Sequence, residues 1–156
     1  MYDPLIPPAT FREPGYEAAP DLDAALVQAD FVTIHCSKNP ETIGMFGAGR
    51  LSRMKPGAFL VNTARGGIVD EAALADVLRS GHLAGAGLDV FDPEPPDAAH
   101  PLLQLDTVLA SPHMAGITVE SSAAMALATA RNILGVLDGK PDWDNIINLE
   151  ALRRAS

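Results

Sequence analysis

Arg65, Glu94 and His113 are the residues of this chain whose types and spacing could do chemistry together. Arg65 lies in Asn62-Thr63-Ala64-Arg65-Gly66-Gly67, directly after the apolar run Phe59-Leu60-Val61. Glu94 sits between two prolines just beyond Leu88-Asp89-Val90-Phe91, and His113 follows Val108-Leu109-Ala110-Ser111-Pro112. A guanidinium stays charged and pairs bidentately with a carboxylate. An imidazole titrates near neutrality and can exchange a hydroxyl proton, and a carboxylate beside it stabilises the imidazolium and fixes the ring. The three could hold a small acid and move one of its protons. Taken singly they say little: an Arg after a strand is most often a surface charge, and a His beside a proline a loop residue.

Positioning them requires three strand ends on one edge. Ala58–Asn62 follows the turn Lys55-Pro56-Gly57, and Ala84–Val90 is a second apolar run with Asp89 at its tip. Between them Asp70-Glu71 open a helix with Ala73, Leu74, Val77 and Leu78 on one side, and Arg79-Ser80-Gly81 close it. Thr107–Ala110 is a third strand, and Phe31–His35, rich in β-branched residues, a fourth. Strand and helix alternate, which predicts an α/β fold: a parallel sheet flanked by helices, with right-handed crossovers and ligands bound at the carboxyl edge. Around this frame we expect a short edge strand at Gly15–Ala18 and a helix through Ala24–Val27 capped by Asp21 or Asp23. A loop and short helix should end at Arg53-Met54, and a long helix should run from Thr118 to about Asp138, stopped by Gly139-Lys140-Pro141.

With 156 residues, 47% hydrophobic and 20% charged, the chain has the composition of a globular domain rather than a disordered one. A net charge of -9 argues against nucleic acid as a partner. Cys36 is alone and cannot form an internal disulfide, and no Cys/His cluster has metal-ligand spacing. No apolar run is long enough to span a bilayer and no basic-then-apolar leader is present, so a cytoplasmic protein with no membrane partner is expected.

Three long motifs, MKPGAFLVNTARGGIVDEAAL, GAGLDVFDPEP and LASPHMAG, follow one another in order. At these residues the chain closely resembles the D-isomer-specific 2-hydroxyacid dehydrogenases, the family of D-3-phosphoglycerate, glycerate and D-lactate dehydrogenases. The likeness runs from Asp3 to NIINLEAL but covers only about the second half of a family member. It implies a Rossmann-like nucleotide domain truncated at its N-terminus, and hydride transfer between NAD and a D-2-hydroxy or 2-oxo acid. Arg65 would bind the substrate carboxylate, His113 exchange the hydroxyl proton, and Glu94 tune His113. Asp3 would hold the adenine-ribose hydroxyls and select NAD over NADP; Asp89 would accept from the nicotinamide carboxamide. His35, Cys36, Thr63, Ala64, Arg65, His113 and Gly116 would line the same cofactor pocket. The family usually has His, a small or apolar residue and then Pro-Leu at the tip of the Phe31–His35 strand; here Ser37 and Lys38 depart from that.

The phosphate-cradling G-x-G-x-x-G does not occur; Gly44-Met45-Phe46-Gly47-Ala48-Gly49 has its glycines in the wrong order and no strand before it. We therefore expect a fragment: residues 1–141 an incomplete NAD-binding domain, and 142–156 a tail with Trp143, Ile146, Ile147 and Leu149 that returns to a substrate domain absent from the chain. Family members pair through this domain, which implies a homodimer. The competing expectation is a truncated, non-catalytic module that dimerises or serves as an accessory chain. A methyltransferase or a short-chain dehydrogenase fits poorly, because neither accounts for the ordered Arg65, Glu94 and His113 motifs.

Overall fold

The computed structural model describes residues 1–11 and 15–148, so Leu149 and the rest of the expected tail lie outside them. The chain divides into two compact units, Met1–Ala115 and Gly116–Ser156. In the first, four strands form one sheet in the order β1-β2-β3-β4: β1 Phe31–Ile34, β2 Phe59–Asn62, β3 Gly85–Leu88 and β4 Val108–Ala110. All three pairings are parallel, so all four strands end on the same edge.

Register follows from which side chains are apolar and large. Val32 pairs with Leu60 and Leu60 with Ala86, while Ile34 pairs with Asn62 and Asn62 with Leu88, so these residues share a face. On that face the apolar ones join one core with Leu26 of α1 (Leu22–Leu26), Leu51 of α2 (Ala48–Leu51), and Leu74 and Leu78 of α3 (Glu71–Arg79). The opposite face carries Phe31, Phe59, Gly85 and Leu109; Phe31 is 72% and Leu109 79% exposed. Phe31 and Phe59 stack there with centroids 5.2 Å apart.

Capping explains where the helices begin. Asp21, not Asp23, caps α1 by accepting from Ala24 N at 2.8 Å, and Asp70 caps α3 by accepting from Ala73 N at 3.0 Å. In the second unit α4 (Val119–Leu137) begins with a reciprocal pair: Ser121 N donates to Thr118 Oγ1 at 3.1 Å and Thr118 N to Ser121 Oγ at 2.8 Å.

The edge strand expected at Gly15–Ala18 does not form. Met1 meets the segment at two backbone bonds only, to Glu17 O at 2.6 Å and from Ala19 N at 2.7 Å. Gly15 at φ 84° on one side and Pro20 on the other leave too few residues in extended backbone for a ladder.

Candidate functional site

The β2 tip is built around a buried amide. Asn62, 2% exposed, accepts from Ala64 N and donates to Arg65 O, each at 3.0 Å, folding Thr63-Ala64-Arg65 into a tight turn. Arg65 is exposed at the end of that turn and donates one N–H to Ala64 O at 2.6 Å. The turn then passes under the chain leaving β3. A Cβ on Gly66 would collide with the Phe91 carbonyl, and Gly67, at φ 79°, holds left-handed backbone that favours glycine.

At the β3 tip Asp89 is 3% exposed and turned inward. It accepts from Ser111 Oγ at 2.5 Å, Met114 N at 2.8 Å and Ala115 N at 2.9 Å. Burial alone would raise its carboxyl; the Ser111 hydroxyl, the two backbone N–H groups and nearby His113 outweigh burial and hold it below the ordinary carboxylate range. Asp89 thereby fixes the loop that carries His113, whose backbone is left-handed at φ 55°. His113 Nδ1 faces Glu94 Oε2 at 2.9 Å; a carboxylate only accepts, so that nitrogen carries the proton and Nε2 is left for other chemistry.

The ends of β1 and β2 enclose an open cleft of about 410 Å³ lined by His35, Cys36, Ser37, Lys38, Thr63, Ala64 and Arg65. Its size suits part of a cofactor or a small acid. Lys38 closes one wall and is paired with Asp92 at 2.7 Å. Burial, with a smaller contribution from Asp3, pushes the Cys36 thiol up, so it stays protonated and serves as cleft wall. The His35 ring turns back along its own strand, its Nε2 2.8 Å from Thr33 Oγ1. Asp3 accepts from Leu5 N at 2.8 Å within its own loop. Gly116 begins the second unit, where its carbonyl accepts from Ser121 Oγ at 2.8 Å.

The structure thus brings Glu94 and His113 into contact, and sets Arg65 with His35, Cys36, Thr63 and Ala64 around one cleft on the same sheet edge. Sequence reading missed Asn62, Ser111, Asp92 and Glu71. Asn62 left a signal, since Asn two residues before a turn amide is an Asx-turn former; Ser111 left none, because its partner is 22 residues away. Among the described residues no group of three or more His, Cys, Asp or Glu side chains could hold a metal ion.

A nicotinamide cofactor can be tested against this geometry. The cleft beside the Thr63–Arg65 turn is open, so the residues lining it fit the nicotinamide end; Asp89, buried against Ser111, Met114 and Ala115, keeps one acceptor position but little open surface for an amide. For the pyrophosphate they offer no glycine-rich turn.

Known proteins agree with this layout. The chain is 39% identical over 151 residues to D-3-phosphoglycerate dehydrogenase of Archaeoglobus fulgidus, covering 97% of this chain and 28% of that protein. It is 43% identical over 133 residues to glyoxylate reductase of Thermofilum pendens, covering 85% of this chain and 39% of that one. The crystal structure of a D-isomer specific 2-hydroxyacid dehydrogenase from Lactobacillus delbrueckii ssp. bulgaricus, in its NAD-complexed form, superposes with a TM-score of 0.83 at 32% identity over 94% of this chain and 48% of that one. The chain spans well under half the length of these curated relatives. Residues 1–115, which carry every strand of the sheet and all three of Arg65, Glu94 and His113, match the family model for the NAD-binding domain of D-isomer specific 2-hydroxyacid dehydrogenases, and to that family the chain belongs.

Proposed function

We propose that this chain provides the nicotinamide side of an NAD-dependent oxidoreductase that interconverts a D-2-hydroxy acid and a 2-oxo acid. The observation that carries the reading is the His113–Glu94 pair at 2.9 Å, set on the same sheet edge as Arg65. Arg65 holds the substrate carboxylate through guanidinium N–H groups other than the one bonded to Ala64 O. His113 Nε2 takes the hydroxyl proton as the alcohol is oxidised and returns it to the carbonyl oxygen in the reverse direction. Glu94 stabilises the imidazolium at the midpoint and keeps Nε2 facing outward. NAD, when bound, supplies or accepts the hydride. Asp89, Thr63, Ala64, His35, Cys36 and Gly116 would hold its nicotinamide end, and Asp3 its adenine ribose, where a carboxylate disfavours a 2′-phosphate.

Two further parts belong to the proposal. The domain division at residue 141 and pairing with a second copy of the chain both rest on the family likeness; exposed Met125, Leu127, Ile133 and Leu134 on α4 support an interface there. A cytoplasmic setting rests on the same likeness; no described helix is long and apolar enough to cross a membrane.

Calorimetric titration of the chain with NADH, followed by NADH oxidation assays with short 2-oxo acids, tests the reading. Saturable binding, with turnover that falls steeply in His113→Asn, supports the enzyme. A folded chain that binds no NADH at millimolar concentration, and stays inert when mixed with a glycine-rich βα unit, would instead favour the non-catalytic module.

A further inference from the structure

Glu94 and His113 are 37% and 47% exposed, and an ion pair at that exposure is weak on its own. Something must hold Glu94 in place before the pair forms. Two residues upstream, Asp92 is gripped from two elements. Its backbone N–H donates to Glu71 Oε1 at 2.8 Å, at the first turn of α3, and its carboxylate accepts from Lys38 Nζ at 2.7 Å, beyond the β1 tip. Only Pro93 lies between Asp92 and Glu94, and a proline ring removes one backbone rotation from that link. We propose that Asp92 is a positioning residue: clamped by Glu71 and Lys38, it sets Glu94 against His113 and ties both to the turn that carries Arg65. The inference deepens the functional reading above, from which it takes the Glu94–His113 pair.

The clamp is itself braced. His100 Nδ1 accepts from Leu102 N at 3.3 Å, so the ring proton is on Nε2, which donates to Glu71 Oε2 at 3.0 Å. Phe91 packs edge-on against the His100 ring with centroids 5.7 Å apart. The Glu71 and His100 side chains are 15% and 19% exposed, so their bond is shielded where the Glu94 pair is not; the Lys38–Asp92 pair, 36% and 51% exposed, is the weaker half of the clamp. Both oxygens of Glu71 are engaged, one by Asp92 and one by His100. Gly66 lets Asp92 lie directly on the Arg65 turn, where a side chain would push it away. One residue thereby registers three strand ends.

The test is the ring-nitrogen NMR of His113 in the chain itself, which needs neither cofactor nor substrate. In the unaltered protein Glu94 should hold one tautomer, giving separate resonances for the protonated Nδ1 and the bare Nε2; Glu94→Ala, which leaves no acceptor, defines the averaged state. Glu71→Ala, which removes the acceptor of the Asp92 backbone N–H, is expected to lose the separation; Asp92→Ala, which keeps that N–H and loses the Lys38 pair, is expected to narrow it, while Asp92→Asn, which still accepts from Lys38, keeps it. Val77→Ala, on α3 but outside the clamp, serves as the stability control and should keep it too. Asp92 is exposed, so its replacement removes no core contact and keeps the test open if Glu71→Ala fails to fold. Retained separation in Glu71→Ala, undiminished separation in Asp92→Ala, loss in Val77→Ala to the same degree as in Glu71→Ala, or averaged nitrogens in the unaltered chain would each overturn the proposal. In a protein that turns over a 2-oxo acid, Asp92→Ala should lower kcat by about tenfold with little change in KM, the pattern of a misplaced proton carrier. Absence of turnover in the unaltered protein would count against the functional reading and leave the nitrogen result standing.

Discussion

At the scale of residues, roles divide between groups that would touch substrate and groups that hold them. His113→Asn keeps a residue that tolerates left-handed backbone and removes the proton carrier; kcat for 2-oxo acid reduction should fall by about 10²–10⁴-fold with the fold unchanged by circular dichroism. Arg65→Lys keeps the charge and loses the bidentate fork, so KM should rise by roughly tenfold with kcat less affected, as steady-state kinetics would reveal. Asp89 makes a prediction about pH. Its folded-state carboxyl titrates below its unfolded value, so it contributes stability that is present above about pH 4 and lost as pH falls through the lower folded value. Acid denaturation followed by circular dichroism should therefore have a shallower low-pH limb in Asp89→Asn. The trio Arg65, Glu94 and His113 was legible in the sequence because each closes a strand within a long motif. The inward turn of Asp89 was not: a carboxylate at a strand tip reads the same whether it faces a ligand or a serine 22 residues on.

At the scale of elements, the alternation of short apolar runs with one amphipathic helix sufficed to place all four strands and α3, but not their burial: Phe31–His35 reads as a buried strand, whereas Phe31 is 72% exposed. The predicted edge strand failed altogether. Gly15–Ala18 has little apolar surface to bury, so local extended preference had no packing to support it. The glycines separate the two ways a missing side chain can matter. Gly66→Ala would drive a Cβ into the Phe91 carbonyl and should cost about 1–3 kcal/mol in denaturant unfolding. Gly49→Ala, inside α2 with open space around it, should instead stabilise by about 0.5–1 kcal/mol, and the opposite signs are the check.

At the scale of the whole molecule, the first unit has one sheet face packed under helices and another that leaves Phe31, Phe59 and Leu109 exposed. Apolar sheet surface of this kind drives association. Leu109→Thr keeps strand preference and should reduce self-association in sedimentation experiments, with stability changed by less than about 0.5 kcal/mol. Composition could not have indicated this asymmetry, because it depends on which residues alternate onto which face. The left-handed backbone of His113 has a longer reach. Glycine at that position would relieve on the order of 1 kcal/mol of conformational cost, and would end proton exchange in the same step. Position 113 is thus a place where drift toward stability and selection for turnover run in opposite directions. A lineage that no longer used the site would gain by losing the histidine, and one that keeps it forgoes a stabilising substitution a few nucleotide changes away.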